Sequence, residues 1–162
     1  MKKPLVVANW KLNKTTNETR AFIEELKSYI KDVEESIEVV IAPPFTSLFT
    51  AHLATKGSNI KLSAQNVFYE DKGAFTGEIS PSMLVDVGCS YVIVGHSERR
   101  QYFFETDEII NRKIKSSLKH ALNVIFCIGE SLKEREEGKT FEILQRQLAD
   151  GLKEVTPKGL VI

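Results

Sequence analysis

The chain has 162 residues, 42% hydrophobic and 27% charged, with 22 basic and 22 acidic side chains in balance. That length supports one folded domain with a sizeable core, and the balance excludes an overall basic field for nucleic acid and a polybasic membrane anchor. Cys89 and Cys127 are the two cysteines, too few for a disulfide framework or a metal site, so a reduced, cytoplasmic protein is expected.

The chain opens MKKPLVVANW, an apolar run too short for a signal peptide, with charge returning at Lys11. No stretch approaches the length of a membrane span. β-rich runs at 5–8, 37–42, 60–64, 91–94, 124–128 and 160–162 are mostly continuous in apolar residues. Such runs suit strands covered on both faces, as in a parallel sheet.

The intervening segments have helical spacing. Phe22, Leu26, Tyr29 and Val33 form one predicted stripe, Ile110, Ile114 and Leu118 a second, and Phe141, Leu144, Leu148, Leu152 and Val155 a third. Thr15 to Glu18 and Ser131 to Glu134 fit capping boxes, and Ser80-Pro81 sets a cap residue before a first-turn proline. Shorter helices are predicted over 46–55 and 81–87. Five β-α units followed by the start of a sixth strand point to a parallel α/β fold with right-handed crossovers. Periodicity alone leaves an open flavodoxin-type sheet and a barrel segment equally admissible. The irregular stretch from Gln65 to Glu78 is long for a compact domain, which marks a functional loop or an interaction arm.

Parallel α/β folds gather ligands at the carboxyl ends of their strands. Those ends carry Asn9-Trp10-Lys11, Pro43-Pro44-Phe45, Gln65-Asn66, Gly95-His96-Ser97-Glu98 and Gly129-Glu130-Ser131. Lys11 offers a positive charge for a phosphate or a developing oxyanion, although a lone strand-end lysine is more often solvated surface. Asn9 either fixes a substrate oxygen or its lysine neighbour, or serves as a turn residue. His96 lies at a strand-to-helix turn, where the positive end of the helix dipole disfavours imidazolium and leaves a neutral ring able to donate to a carbonyl oxygen. Spacing alone favours a histidine satisfied by nearby backbone. Glu98 either pairs with Lys11 or is a first-turn helix acid. No dinucleotide G-x-G-x-x-G, phosphate-binding GxxxxGK[ST] or H-E-x-x-H sequence occurs. The Gly95–Arg99 stretch is no nucleophile elbow, and Ser97 has no evident activating base.

Taken together, Asn9-Trp10-Lys11, Ala64-Gln65-Asn66-Val67, the run from Gly73 to Ser80, the run from Tyr91 to Arg100, and Cys127-Ile128-Gly129-Glu130 resemble the triosephosphate isomerase family in order and spacing. The resemblance runs nearly end to end. It implies a (β/α)8 barrel, here truncated to about five β-α units plus the start of strand six, with residues 1–162 as a single incomplete TIM-barrel domain. It further implies interconversion of dihydroxyacetone phosphate and glyceraldehyde 3-phosphate, without metal or organic cofactor. By similarity, His96 is the electrophile that polarises the carbonyl, Lys11 binds substrate and stabilises negative charge, and Asn9 helps to place both. Glu98 resembles the glutamate that pairs with that lysine, and Ser97 supports the histidine. Thr76 resembles the tip of an arm, the Gln65–Glu78 loop, that enters the partner of a homodimer. This family is already the standard case of a neutral catalytic histidine, so the dipole argument agrees with it rather than adding to it.

Full barrels of this kind run to roughly 250 residues. In the family, the strand begun at residues 160–162 continues into an alanine, an aromatic and the glutamate that acts as general base, with the glycine-rich phosphate loops later. The expectation is therefore that residues 1–162 alone have little or no isomerase activity. An unclosed barrel exposes strand edges and apolar interior, so association, partial disorder or membership of a longer gene product is expected. The alternative is a non-catalytic half-barrel that acts through association with a partner or a complementary fragment. Leu12, where the family often has methionine, conserves volume.

Overall fold

The computed structural model describes residues 3–30 and 37–162. Its elements follow one another as β1 (Leu5–Asn9), α1 (Thr16–Tyr29), β2 (Glu38–Ala42), a 3-10 turn (Phe45–Ser47) and α2 (Leu48–Ala54). Then come β3 (Lys61–Ala64), α3 (Pro81–Asp86), β4 (Tyr91–Val94), α4 (Ser97–Tyr102) and α5 (Asp107–Lys119). The described chain ends with β5 (Asn123–Phe126), α6 (Leu132–Glu136), α7 (Thr140–Gly151) and β6 (Leu160–Val161). Strand ends lie within one or two residues of those predicted, as hydrogen-bond fraying at termini leads one to expect, whereas α7 stops at Gly151, short of Leu152 and Val155 in the predicted stripe.

The six strands form one sheet in the order β1-β2-β3-β4-β5-β6, and every neighbouring pair is parallel. This order separates the two topologies left open by periodicity. A doubly wound sheet reverses its strand order at a switch point. A sheet that adds each new strand beside the last, always in one direction, curls toward a barrel, and this one is a curled half-barrel.

Register assigns the faces. Ile41, Leu62, Ala64, Val92, Val94, Val124, Phe126 and Leu160 join helix residues Ile23, Ala51, Leu84, Ile110 and Ile114 in one core. The alternate residues of the strands, among them Val7, Val40, Tyr91, Ile93 and Ile125, share the other face through the Val7↔Val40 and Ile93↔Ile125 pairs. Coverage on both faces holds for β4, whose four residues are all buried. It does not hold for β1, where Val6 is 56% exposed. Among the described residues β1 is an edge strand, pairing with β2 alone.

The capping signals fold as read. Thr15 and Ser131 accept from the backbone of Glu18 and Glu134, whose side chains return to the cap N–H groups. Ser80 caps α3 with Pro81 in its first turn. Two stripes need correction. Phe22 and Leu26, and Leu148, Leu152 and Val155, pack against the core as expected, but Tyr29 is 74% exposed and Phe141 is 86% exposed, and the most deeply buried lines run through Thr19 and Ile23 in α1 and through Ile143, Gln147 and Gly151 in α7. Both aromatics sit at the margin of an apolar stripe, where spacing defines a face but not its centre. Val33 lies outside the described residues. At Gly151 a Cβ would come within 2.6 Å of the Phe126 ring, so the absent side chain is what lets α7 approach β5.

Candidate active site

The carboxyl ends of β1, β3 and β4 meet at one cleft of about 590 Å³, lined by Asn9, Lys11, Gln65, His96 and Glu98, with Tyr102 and Phe103 at its margin. β1 enters it by way of Trp10, which is buried edge-on to Phe22 with ring centroids 5.2 Å apart. The Trp10 N–H donates to Ala42 O at 3.1 Å.

Lys11 then takes a left-handed backbone conformation, φ +53°, which costs a non-glycine residue about 1–2 kcal/mol. Two side chains hold it there. Asn9 Oδ1 accepts the Lys11 N–H at 3.0 Å. Gln65 Nε2 donates to Lys11 O at 3.0 Å and to Ala42 O at 2.7 Å. The end of β3 thus clamps the end of β1, and the strain aims Lys11 across the strand mouths rather than along its own strand. Lys11 Nζ reaches Glu98 Oε1 at 2.8 Å.

His96 follows Gly95, whose φ of +75° and tight surroundings, with Cys127 O 3.1 Å from a notional Cβ, require glycine. Arg100 fixes this turn, donating from Nε to Gly95 O at 2.8 Å and from Nη2 to Cys127 O at 3.3 Å. His96 is the N-cap of α4, and its Nδ1 accepts the Glu98 N–H at 3.3 Å. That bond occupies the Nδ1 lone pair and assigns the hydrogen of a neutral ring to Nε2. Glu98 Oε2 also lies 3.4 Å from Nδ1. An ion pair there would need a proton where the backbone N–H already points, so the N-cap bond is the better description. The hydrogen bond from Lys11 holds the Glu98 carboxyl below the ordinary carboxylate range, and the Lys11 charge adds to that effect against some desolvation.

Asn9, Lys11, His96 and Glu98 are therefore gathered together. Ser97 is exposed and lines an adjoining hollow with Gly129 and Glu130. Thr76 is exposed in the irregular 65–78 segment, apart from the cleft. That segment is nonetheless organised: Phe68 lies against Tyr69 and Phe75 with centroids 4.2 and 4.6 Å away, and Phe68 N–H donates to Ile79 O at 2.8 Å.

Three features escaped the sequence reading. The Gln65 clamp depends on a backbone torsion that no residue type announces at Lys11. Arg100 looks like one more surface charge in GHSERR. Behind α4, Glu105 accepts from both Arg99 and Lys113, and Lys113 Nζ donates to Asn66 Oδ1 at 2.7 Å. The signal for this cluster was a lysine set between Ile110 and Ile114 on an apolar stripe.

A curled sheet of sequential parallel strands, with its polar cleft at their carboxyl ends, defines a (β/α)-barrel architecture carrying its site where such barrels do. The triosephosphate isomerase family profile matches residues 4–162, and the chain belongs to that family. It is 56% identical over 156 residues to a triosephosphate isomerase of Citrifermentans bemidjiense, covering 96% of this chain and 62% of that protein. It is 54% identical over 152 residues to one of Dictyoglomus turgidum, covering 94% and 61%. It is 49% identical over 160 residues to one of Caldanaerobacter subterraneus subsp. tengcongensis, covering 99% and 64%. The chain thus spans a little under two thirds of the length of these relatives. Among the described residues, no helix is long and apolar enough to cross a membrane.

Proposed function

We propose that residues 1–162 supply the electrophile half of a site that interconverts dihydroxyacetone phosphate and glyceraldehyde 3-phosphate, in a cytoplasmic enzyme. The convergence of Lys11, Glu98 and His96 at one strand mouth carries this reading. Isomerisation begins when a base removes a proton from the carbon beside the carbonyl. The C–H electron pair becomes the new C=C bond, and the carbonyl π pair moves onto oxygen. The His96 Nε2–H is the group suited to donate to that oxygen, and the Lys11 ammonium supplies positive charge to the developing enediolate and the phosphate. Glu98 holds the ammonium in place, and Asn9 keeps the Lys11 backbone in its strained form. His96 gives its Nε2 proton to the former carbonyl oxygen and takes one from the neighbouring hydroxyl; return of the first proton to the former carbonyl carbon, as the other carbon–oxygen bond becomes C=O, completes the isomerisation without net change of oxidation state.

On this reading the general base and the phosphate loops come from sequence outside residues 1–162. The test is an isomerase assay on the 1–162 polypeptide, alone and with the remaining family segment supplied in trans. Little turnover alone, a clear gain on addition, and loss of that gain in His96→Gln are expected. Turnover by 1–162 alone near the rates of complete relatives would overturn the division of labour. Complemented activity that survives His96→Gln would overturn the site.

A second reading, a non-catalytic half-barrel acting through association, draws support from apolar side chains left in the open, Leu12, 97% exposed, and Phe103, 62% exposed. On this reading the exposed 65–78 arm with Thr76 offers a separate route to a homodimer. Association without any gain in turnover on complementation is the outcome that selects this second reading.

A further inference from the structure

Gly95 is a hinge set directly before His96. Its φ is +75°, and a residue without a side chain passes readily between such conformations. The peptide unit that follows is planar, so the direction of Gly95 O fixes where the His96 backbone leaves the strand. Arg100 supplies the restraint that the glycine lacks. The β4–β5 ladder has Cys127 N–H donating to Val94 O at 2.9 Å. Just past it the guanidinium takes over, with Nε donating to Gly95 O at 2.8 Å and Nη2 to Cys127 O at 3.3 Å. Its remaining arm, Nη1, donates to Asp107 Oδ1 at 2.5 Å in the first turn of α5. Arg146 of α7 stands 3.6 Å from the other Asp107 oxygen. The Arg100 and Asp107 side chains are 16% and 12% exposed, so the fork is braced from β5, α5 and α7 and shielded from water.

The aim of this turn decides between two partners for His96 Nδ1. The Glu98 N–H points at it from 3.3 Å, and Glu98 Oε2 lies 3.4 Å away. The first needs a lone pair on Nδ1 and leaves the hydrogen on Nε2. The second would take a hydrogen from Nδ1 and leave a lone pair on Nε2. The two distances are nearly equal, so a small rotation at Gly95 is enough to exchange one partner for the other.

We propose that Arg100 is a positioning residue that selects the Nε2–H tautomer of His96 by pinning Gly95 O. A ring with its lone pair on Nε2 has no hydrogen to give a substrate oxygen. Arg100 thus acts on the electrophile without reaching the substrate. Its effect on turnover rests on the isomerisation reading; its effect on the ring does not.

Arg100→Lys tests this. A lysine keeps a cation beside Asp107, and with it the fold, but a single ammonium does not span Gly95 O and Cys127 O as a planar fork does. Nitrogen NMR of the histidine rings, on the 1–162 chain at about pH 8.5, above the usual histidine range, is expected to show His96 with its hydrogen on Nε2 in the parent. In Arg100→Lys a second form, Nδ1–H, joins it, and Arg100→Met gives the same mixture. His120, whose Nδ1 lies 2.9 Å from Ser116 O at the far end of α5, is the control and keeps its signals. In the complemented assay kcat falls about 10- to 100-fold in Arg100→Lys, the cost of a misplaced reacting group, while KM stays within about twofold. Nε2–H alone in both variants, an equal change at His120, or a raised KM with kcat unmoved each overturns the positioning role. The ring measurement needs no turnover, so it decides the role of Arg100 even where complementation shows that the isomerisation reading fails.

Discussion

Glu98 and Arg99 are neighbours in α4, yet they enter ionic clusters of opposite character. Glu98 meets Lys11 at the cleft, with side chains 42% and 51% exposed. Arg99 meets Glu105, which is shared with Lys113, and the latter two side chains are 5% and 4% exposed. The first cluster keeps its charges in water, where a ligand can compete for them. The second has surrendered hydration, and burial pushes the Lys113 ammonium below the ordinary lysine range by more than the Glu105 carboxylate raises it. A single step along α4 thus separates charges held ready for exchange from charges committed to holding the arm, α4 and α5 together.

The largest effect should come from breaking the buried cluster. Lys113→Met leaves Glu105 buried beside Arg99 alone and Asn66 without its donor. Loss of one partner of a buried pair costs about 3–5 kcal/mol, to be read as a drop in unfolding free energy in urea. Replacing Glu105 as well, in a Lys113→Met, Glu105→Leu chain, should recover a large part of that loss. A single variant as stable as the parent would mean that the buried ions contribute nothing to holding the fold.

The exposed cluster should respond in activity instead. In the complemented assay, His96→Gln is expected to lower turnover by about 10²–10³-fold, the usual cost of one oxyanion donor, with little change in urea midpoint. Lys11→Gly separates the ammonium's charge from the strain of the backbone that carries it. It removes the ammonium but suits φ +53°, so turnover falls while stability rises by about 1 kcal/mol. A stability loss there would mean that the Lys11–Glu98 bond outweighs the strain.

The sequence made the exposed cluster far easier to see than the buried one. Asn9-Trp10-Lys11 and Gly95-His96-Ser97-Glu98 stand where apolar runs stop abruptly, and strand ends in a parallel sheet are known ligand positions. Caps were equally legible, since Thr15, Ser80 and Ser131 act on backbone only three residues away. Gln65 is different: its partners, Lys11 and Ala42, are distant in the chain, and its clamp answers a torsion that local spacing does not encode. Lys113 gives no local sign of burial, because its partners Glu105 and Asn66 lie eight and 47 residues away and are brought to it only by folding. Tyr29 and Phe141 failed for the converse reason: hydrophobicity alone counted them inward, whereas helix packing left them at the rim.

The smallest effects distinguish the two clusters by the direction of their response to pH. Glu98 has its folded pKa lowered from the ordinary 4.5, so its contribution is present above that value and is lost as pH falls through the lowered folded value. Glu98→Gln should therefore reduce stability near neutral pH by at most about 1 kcal/mol, since both groups are well exposed, and should converge with the parent chain in acid. Lys113 has its folded pKa lowered from the ordinary 10.5, and for a base this carries the opposite sense. The fold disfavours its charged form, so the penalty is full below the folded pKa and relaxes as pH rises from there toward 10.5. Urea titrations of the parent, Glu98→Gln and Lys113→Met chains across acid and alkaline pH measure both slopes. The Glu98→Gln difference should shrink in acid and the Lys113→Met difference should widen as pH rises toward 10.5; the absence of either trend would erase the contrast between a pair held in water and a charge held out of it.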